Sequence, residues 1–287
     1  MVKKISYIFY LFVKFLDNII KFIFNRSFLV WFKEFLEIDS YKSIIILNKK
    51  INFFIPNQTT KWRVHTYFSK EPETLEWIES FKNNEKIIFW DIGSNIGLYS
   101  IYAALKHPNI EIISFEPSTS NLRVLSRNIS INNLENKIKI YQIPLSDQTN
   151  SFQMMNEERF IEGAALNSFG KNQDFEGKKF SPKNKYQLLG TTINSIIDSN
   201  TLEIPNYIKI DVDGIEHFIL KGADKYLKNK ILKSMSIEIN ENYKEQFEIV
   251  MDIMKKNDFK VLHKKEAYKS KIIKEFDKMF NYIFIRI

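Results

Sequence analysis

From residue 87 onward, short apolar runs alternate with segments whose apolar positions recur every three or four residues. The first kind reads as strand and the second as helix. Strands are predicted at residues 87–91, 111–115, 137–143, 207–211, 234–239, 259–263 and 281–286. Between them, helices are predicted at 97–105, 119–132, 192–198, from 212 to about 227, and at 244–256. Such alternation builds a mostly parallel, doubly wound α/β sheet of the Rossmann-like kind. Ligands of these sheets bind at the carboxyl ends of the strands, near the switch point in strand order.

The first 61 residues follow a different pattern. Lys14, Asp17, Asn18, Lys21 and Asn25 recur at helical spacing between Phe12, Phe15, Leu16, Ile19, Ile20 and Ile23. This predicts an amphipathic helix, continued over residues 1–36 as a whole. Its longest uncharged run, residues 5–13, falls short of the roughly 20 apolar residues that cross a bilayer. Small residues of a signal-peptide cleavage site are missing, so a cytoplasmic protein is expected. The helix can pack its apolar face on the rest of the chain. Alternatively, residues 1–25 can lie on the inner face of the membrane as a peripheral contact. Packing is the preferred reading, because residues 28–35 continue the apolar pattern and a hairpin follows, 43–47 and 51–55 around Asn48-Lys49-Lys50. A helix is predicted at 72–81, with Pro72 in its first turn. Residues 150–190, rich in Asn, Lys, Gly and Ser, read as a loop. The expected organisation is an extension over 1–61 and a main domain over 62–287, with 150–190 as an acceptor-site insert.

Composition narrows the chemistry. The absence of Cys excludes disulfides, thiolate metal sites and a Cys nucleophile. A net charge of +8 is compatible with anionic partners. Lys is dispersed rather than gathered with aromatics, and the Asn/Asp-Pro-Pro-Tyr run of base amino-methylation is absent. No nucleic-acid partner is expected.

Two strand ends carry the candidate chemistry. The first reads Asp91-Ile92-Gly93-Ser94-Asn95-Ile96-Gly97. Its glycines let backbone approach a ligand, and the following helix start offers free N–H groups. Asp91 can orient this turn and attract a ligand ammonium. Glu116-Pro117, at the end of the next strand, places a carboxylate where both ribose hydroxyls can donate to it. The third glycine of a dinucleotide turn is missing. A smaller ligand, zwitterionic at one end and a nucleoside at the other, fits: S-adenosylmethionine. Ser146 and Asp147, after the third strand, either accept from the adenine amine or form an ordinary turn.

The second reads Lys209-Ile210-Asp211-Val212-Asp213-Gly214-Ile215-Glu216-His217. Carboxylates at a strand end can deprotonate a hydroxyl or bind a divalent ion. Asp211, Asp213 and Glu238 are the catalytic candidates, and Asp211, Asp213 and Glu216 the metal candidates. Asp213 and Glu216 can instead cap the next helix. His217 is either a base or a structural residue.

With these residues in place, the chain resembles the FkbM family of S-adenosylmethionine-dependent methyltransferases. The likeness rests on Glu71-Pro72-Glu73-Thr74-Leu75-Glu76-Trp77-Ile78, the turn from Asp91 to Gly97, Phe115-Glu116-Pro117, Leu145-Ser146-Asp147, Ile208 to Gly214, and Glu238. It covers roughly residues 62–240. Family members usually carry Glu where Asp213 stands. The resemblance implies O-methylation of a hydroxyl, often on a sugar of a polysaccharide, glycolipid or antibiotic. Arg159, Glu162, Asn167, Lys171 and Asn172 of the insert offer hydrogen bonds to such an acceptor. Two competing readings are a nucleic-acid or small-molecule methyltransferase, and a non-catalytic membrane-associated subunit of a glycan assembly complex.

Overall fold

The strand β3 (Ile87–Ile92) explains the architecture, because every one of its residues is buried. Ile87 and Phe89 enter one apolar cluster, and Ile88, Trp90 and Ile92 enter another. Alternate side chains of a strand face opposite sides, so this sheet needs a helical layer on each face. The computed structural model describes residues 1–82, 85–266 and 278–287. β3 pairs in parallel with β4 (Ile110–Phe115) on one side and β9 (Tyr207–Ile210) on the other. The sheet extends outward through β5 (Ile138–Tyr141) and, beyond β9, through β10 (Ser234–Asn240), β12 (Met279–Arg286) and β11 (Phe259–Glu266). The order is β11-β12-β10-β9-β3-β4-β5, with β12 antiparallel to both its neighbours. The predicted doubly wound sheet is therefore present, with its switch point between β3 and β9.

Helices α4 (Pro72–Glu79), α5 (Leu98–Lys106) and α6 (Thr119–Ser130) supply the first cluster. Helices α7 (Ile193–Asp198), α8 (Glu216–Lys221) and α9 (Lys244–Lys256) supply the second. α8 is shorter than the predicted helix, and turns replace it beyond Gly222. The hairpin of β1 (Tyr41–Ile46) and β2 (Lys49–Phe54) buries Ile46, Ile51, Phe53 and Phe54 in the first cluster. A short helix, α3 (Gln58–His65), follows it.

The insert is not the loop that its polar composition predicts. It forms a three-stranded antiparallel sheet of β6 (Ser151–Glu157), β7 (Asn167–Phe169) and β8 (Asn184–Gly190). Along β6 and β8 Phe152, Met154, Lys185, Gln187 and Leu189 face outward, while Met155 and Phe169 are buried, as a sheet with one solvated face allows.

The chain divides into two compact units, residues 1–42 and 43–287. In the first, the single predicted helix is two, α1 (Val2–Phe24) and α2 (Leu29–Ile38). Asn25 ends α1 in the left-handed region. Asp17 then turns inward, accepting from Ser27 Oγ at 2.9 Å and from the N–H of Phe28 at 2.8 Å and of Leu29 at 3.2 Å. A carboxylate at the start of α2 satisfies donors a helix leaves open. Within this unit Phe12, Phe15 and Ile23 are not covered and are 56%, 61% and 61% exposed. Among the described residues no helix is long and apolar enough to cross a membrane.

Candidate active site

The turn after β3 is shaped by backbone that only small or flexible residues adopt easily. Gly93, Asn95 and Gly97 have φ of 84°, 53° and 86°. A Cβ on Gly93 would stand 1.9 Å from the carbonyl oxygen of Asp211, so the two strand ends meet there without room for a side chain. Phe115 O accepts from Gly93 N and Ser94 N, both at 3.0 Å. This ties the turn to β4 and sets Glu116 beside it.

Two pockets open along this edge and share Gly93, Asn95, Ala165, Asp211 and Asp213. One is an apolar slot walled by Phe115, Pro117, Leu145, Met155, Phe169 and Ile219, with Glu116, Asn121 and Asn167 as polar lining. It encloses about 600 Å³, part of it open to solvent. The Glu116 carboxylate accepts from Asn95 N and Ser118 N, both at 2.8 Å. Burial nevertheless pushes its pKa up to about 8. Asn95 Oδ1 and Asn167 Oδ1 are buried acceptors without a partner among the described residues. An apolar slot with a carboxylate and unfilled acceptors fits a nucleoside: its ring would fill the slot and its hydroxyls and amine would donate.

The other pocket is charged, lined by Arg63, Lys70, Glu71, Tyr99, Lys209, Asp211, Asp213 and Glu238 among others. Lys209 is 1% exposed and donates to Asp211 Oδ2 at 2.8 Å. Its ammonium lies 4.9 Å from the Tyr99 ring centre. Tyr99 in turn donates to Glu71 Oε2 at 2.6 Å. Burial raises the pKa of Asp211, but the charges of Lys209 and Lys70 outweigh it and hold this carboxyl well below the usual range. Glu238 has no such partner. Burial, then repulsion from Asp211, Glu71 and Asp213, pushes its carboxyl well above the usual range. The site thus holds two carboxyls in opposite surroundings, Asp211 held as an anion by Lys209 and Glu238 pushed toward its neutral form by burial and neighbouring acids.

The structure brings together most of the expected site but not all of it. Gly93, Asn95, Asp211 and Asp213 line both pockets, Ser94 and Glu238 the charged one, and Glu116 and Pro117 the slot. Gly97 stands behind them as the left-handed cap of α5. Asp91 lines neither pocket. It is fully buried and accepts from Ser100 Oγ at 2.6 Å through Oδ2, while its Oδ1 has no partner among the described residues. Ser146 and Asp147 do not line the slot, although Ile143, Pro144 and Leu145 just before them do. Ser146 closes a local turn with Gln148. Of the insert's polar residues, only Asn167 faces the slot.

Glu216 is removed from the metal candidates by its surroundings. Its carboxylate accepts from Val212 N at 3.1 Å and from Gly214 N, and Gln246 donates to it as well. It clamps the loop that carries Asp211 and Asp213. His217 is buried, both ring nitrogens lack partners among the described residues, and burial takes its pKa down to about 4. It lines neither pocket and reads as structural. The carboxylates that do converge are Glu71, Asp211 and Glu238, whose oxygens lie within 4.8 Å of one another. Lys70 and Lys209 pair with two of the three, so the cluster is neutralised from within and does not fit a divalent ion.

Glu71, Lys70, Tyr99 and Lys209 were not singled out from the sequence. The available signal was Lys209, a charged residue inside an apolar strand, where burial demands a partner.

A model of the methyltransferase FkbM domain matches residues 91–261. A relative from Sordaria araneosa, methyltransferase sdnD, is 27% identical over 154 residues, 47% of this chain and 60% of its own length. Methyltransferase 1 of Beauveria bassiana (strain ARSEF 2860) is 27% identical over 145 residues, covering 47% of this chain and 57% of that protein. The chain therefore spans somewhat under two thirds of either relative. Among solved structures, methyltransferase FkbM from Methylobacillus flagellatus KT aligns with a TM-score of 0.47 and 16% identity, over 79% of this chain and 54% of that one.

Proposed function

Because this chain belongs to the FkbM methyltransferase family, we propose that it transfers a methyl group from S-adenosylmethionine to a hydroxyl, with a sugar of a polysaccharide, glycolipid or other glycoside as the acceptor. The single observation that carries the reading is the pairing of an apolar, Glu116-bearing slot with a charged pocket across the shared Asp211. When bound, the cofactor supplies an electrophilic methyl group on a sulfonium centre.

The protein's own residues do the rest. Glu116 accepts the ribose hydroxyls, and the apolar slot takes the adenine ring. Asp211, kept ionised by Lys209, offers a fixed negative charge to the cationic end of the cofactor. Glu238 accepts the acceptor's hydroxyl proton as the oxygen bonds to the methyl carbon. The bond exchanged for the new carbon–oxygen bond would be the carbon–sulfur bond of the cofactor, with its electron pair remaining on sulfur. A hydroxyl is a weak nucleophile at neutral pH, so a base with a raised pKa is suited to this task. The polar, charged lining of the acceptor pocket suits a polyhydroxylated substrate better than an apolar one.

The test is transfer of radiolabelled methyl from S-adenosylmethionine to a panel of glycosides, with the methylated position located by NMR. Methyl ether formation on a sugar hydroxyl supports the proposal. Transfer to nitrogen, to carbon or to nucleic acid overturns it.

A further inference from the structure

The first unit presents a surface that the methyl-transfer reading leaves unused. On α1, Phe12, Phe15 and Ile23 are 56%, 61% and 61% exposed, and on α2 Trp31 and Phe35 are 61% and 60% exposed. Scattered apolar side chains on a surface need no explanation, but a contiguous helical face of this kind marks an interaction site. Phe12, Phe15, Ile19 and Ile23 recur every three or four residues and so form one stripe.

Charge identifies what the stripe meets. α1 carries Lys3, Lys4, Lys14 and Lys21 and a single acidic residue, Asp17. Asp17 is buried, and its carboxylate is consumed by Ser27, Phe28, Leu29 and Lys21. The helix therefore shows only positive charge to a partner. Lys3, Lys14 and Lys21 lie about three and two turns apart, on the flank away from the apolar stripe. Aromatic and aliphatic residues on one side with lysines on the other suit a helix lying in a lipid interface. A membrane-spanning role is unsuited, since no helix among the described residues is long and apolar enough.

We infer that α1 docks on an anionic lipid bilayer surface, its apolar stripe entering the headgroup boundary and its lysines meeting lipid phosphate. Each lysine near such a surface contributes roughly fivefold in partition. The attraction is screened by salt.

The experiment is co-sedimentation of the full chain with vesicles of phosphatidylcholine, with and without phosphatidylglycerol. The full chain should pellet with the anionic vesicles, less so at high salt, and stay in solution with phosphatidylcholine alone. Replacing Lys3, Lys4 and Lys14 with Gln should lower anionic partition on the order of a hundredfold, and Phe12→Ser with Phe15→Ser should abolish it. Both variants should keep the wild-type circular dichroism and affinity for S-adenosylhomocysteine, since none of these residues lines either pocket. Pelleting that ignores phosphatidylglycerol, or no pelleting, overturns the inference. So does self-association in lipid-free solution that Phe12→Ser with Phe15→Ser abolishes, because a second copy would then cover the stripe.

Discussion

At the scale of single residues, two carboxyl groups with opposite surroundings divide the work. Asp211 is 2.8 Å from the Lys209 ammonium, and Glu238 faces only other acids and the more distant Lys70. Glu238→Gln should therefore abolish most turnover while leaving S-adenosylhomocysteine affinity within about twofold. Loss of a positioned base typically costs a factor of roughly 100 to 10,000. Because the base must be ionised and its pKa is raised, the rate should increase with pH through that titration. A profile that is flat, or that falls with rising pH, would remove Glu238 from this role. Glu116 gives a second pH signature. Its folded pKa of about 8 exceeds the ordinary 4.5, so the ligand-free fold holds a proton that the unfolded chain releases. Its contribution to stability is full below pH 4.5 and fades as pH rises toward 8. Cofactor ribose asks for the ionised form, so binding should release a proton. Affinity should then climb by up to roughly tenfold per pH unit below 8. Calorimetry in buffers of different ionisation enthalpy measures that proton directly.

At the scale of elements, the legible parts were those where local chemistry and spacing coincide. The turn from Asp91 to Gly97 and the acid at Glu116 belong to consecutive strand ends, so chain order alone places them together. Glu71 and Lys209 meet only because α4 starts beside β9, a tertiary fact with no local signature. Ser146 and Asp147 directly follow Leu145, which walls the slot, yet neither lines it, and β5 already ends at Tyr141. The insert hid its strands behind the Lys- and Gly-bearing segment 170–183 that joins β7 to β8. Glu216 left two readings in the sequence, a metal ligand or a cap, and its bonds from Val212 N and Gly214 N put it to the service of the backbone. Glu216→Ala should leave the buried Gly214 N–H without its partner, which costs about 1–3 kcal/mol. The melting temperature should fall by a few degrees and turnover should drop with it, as the loop bearing Asp211 loosens. EDTA should change neither quantity in the wild type or the variant. An EDTA-sensitive wild type would restore a metal to the site.

At the scale of the whole molecule, the sheet delivers an apolar slot and a charged pocket to one edge of a chain that belongs to the FkbM methyltransferase family. The net charge of +8 is spread along the chain, and within the charged pocket Lys70 and Lys209 pair with Glu71 and Asp211. The central claim is that the slot holds S-adenosylmethionine through Glu116. Titration calorimetry with S-adenosylhomocysteine, comparing wild type with Glu116→Ala, tests it most directly. Hydrogen bonds to a charged group are worth about 1.5–3 kcal/mol. Wild type should bind at one site, and Glu116→Ala should bind roughly tenfold to a hundredfold more weakly. A wild type that does not bind, or a variant that binds equally well, would contradict the account.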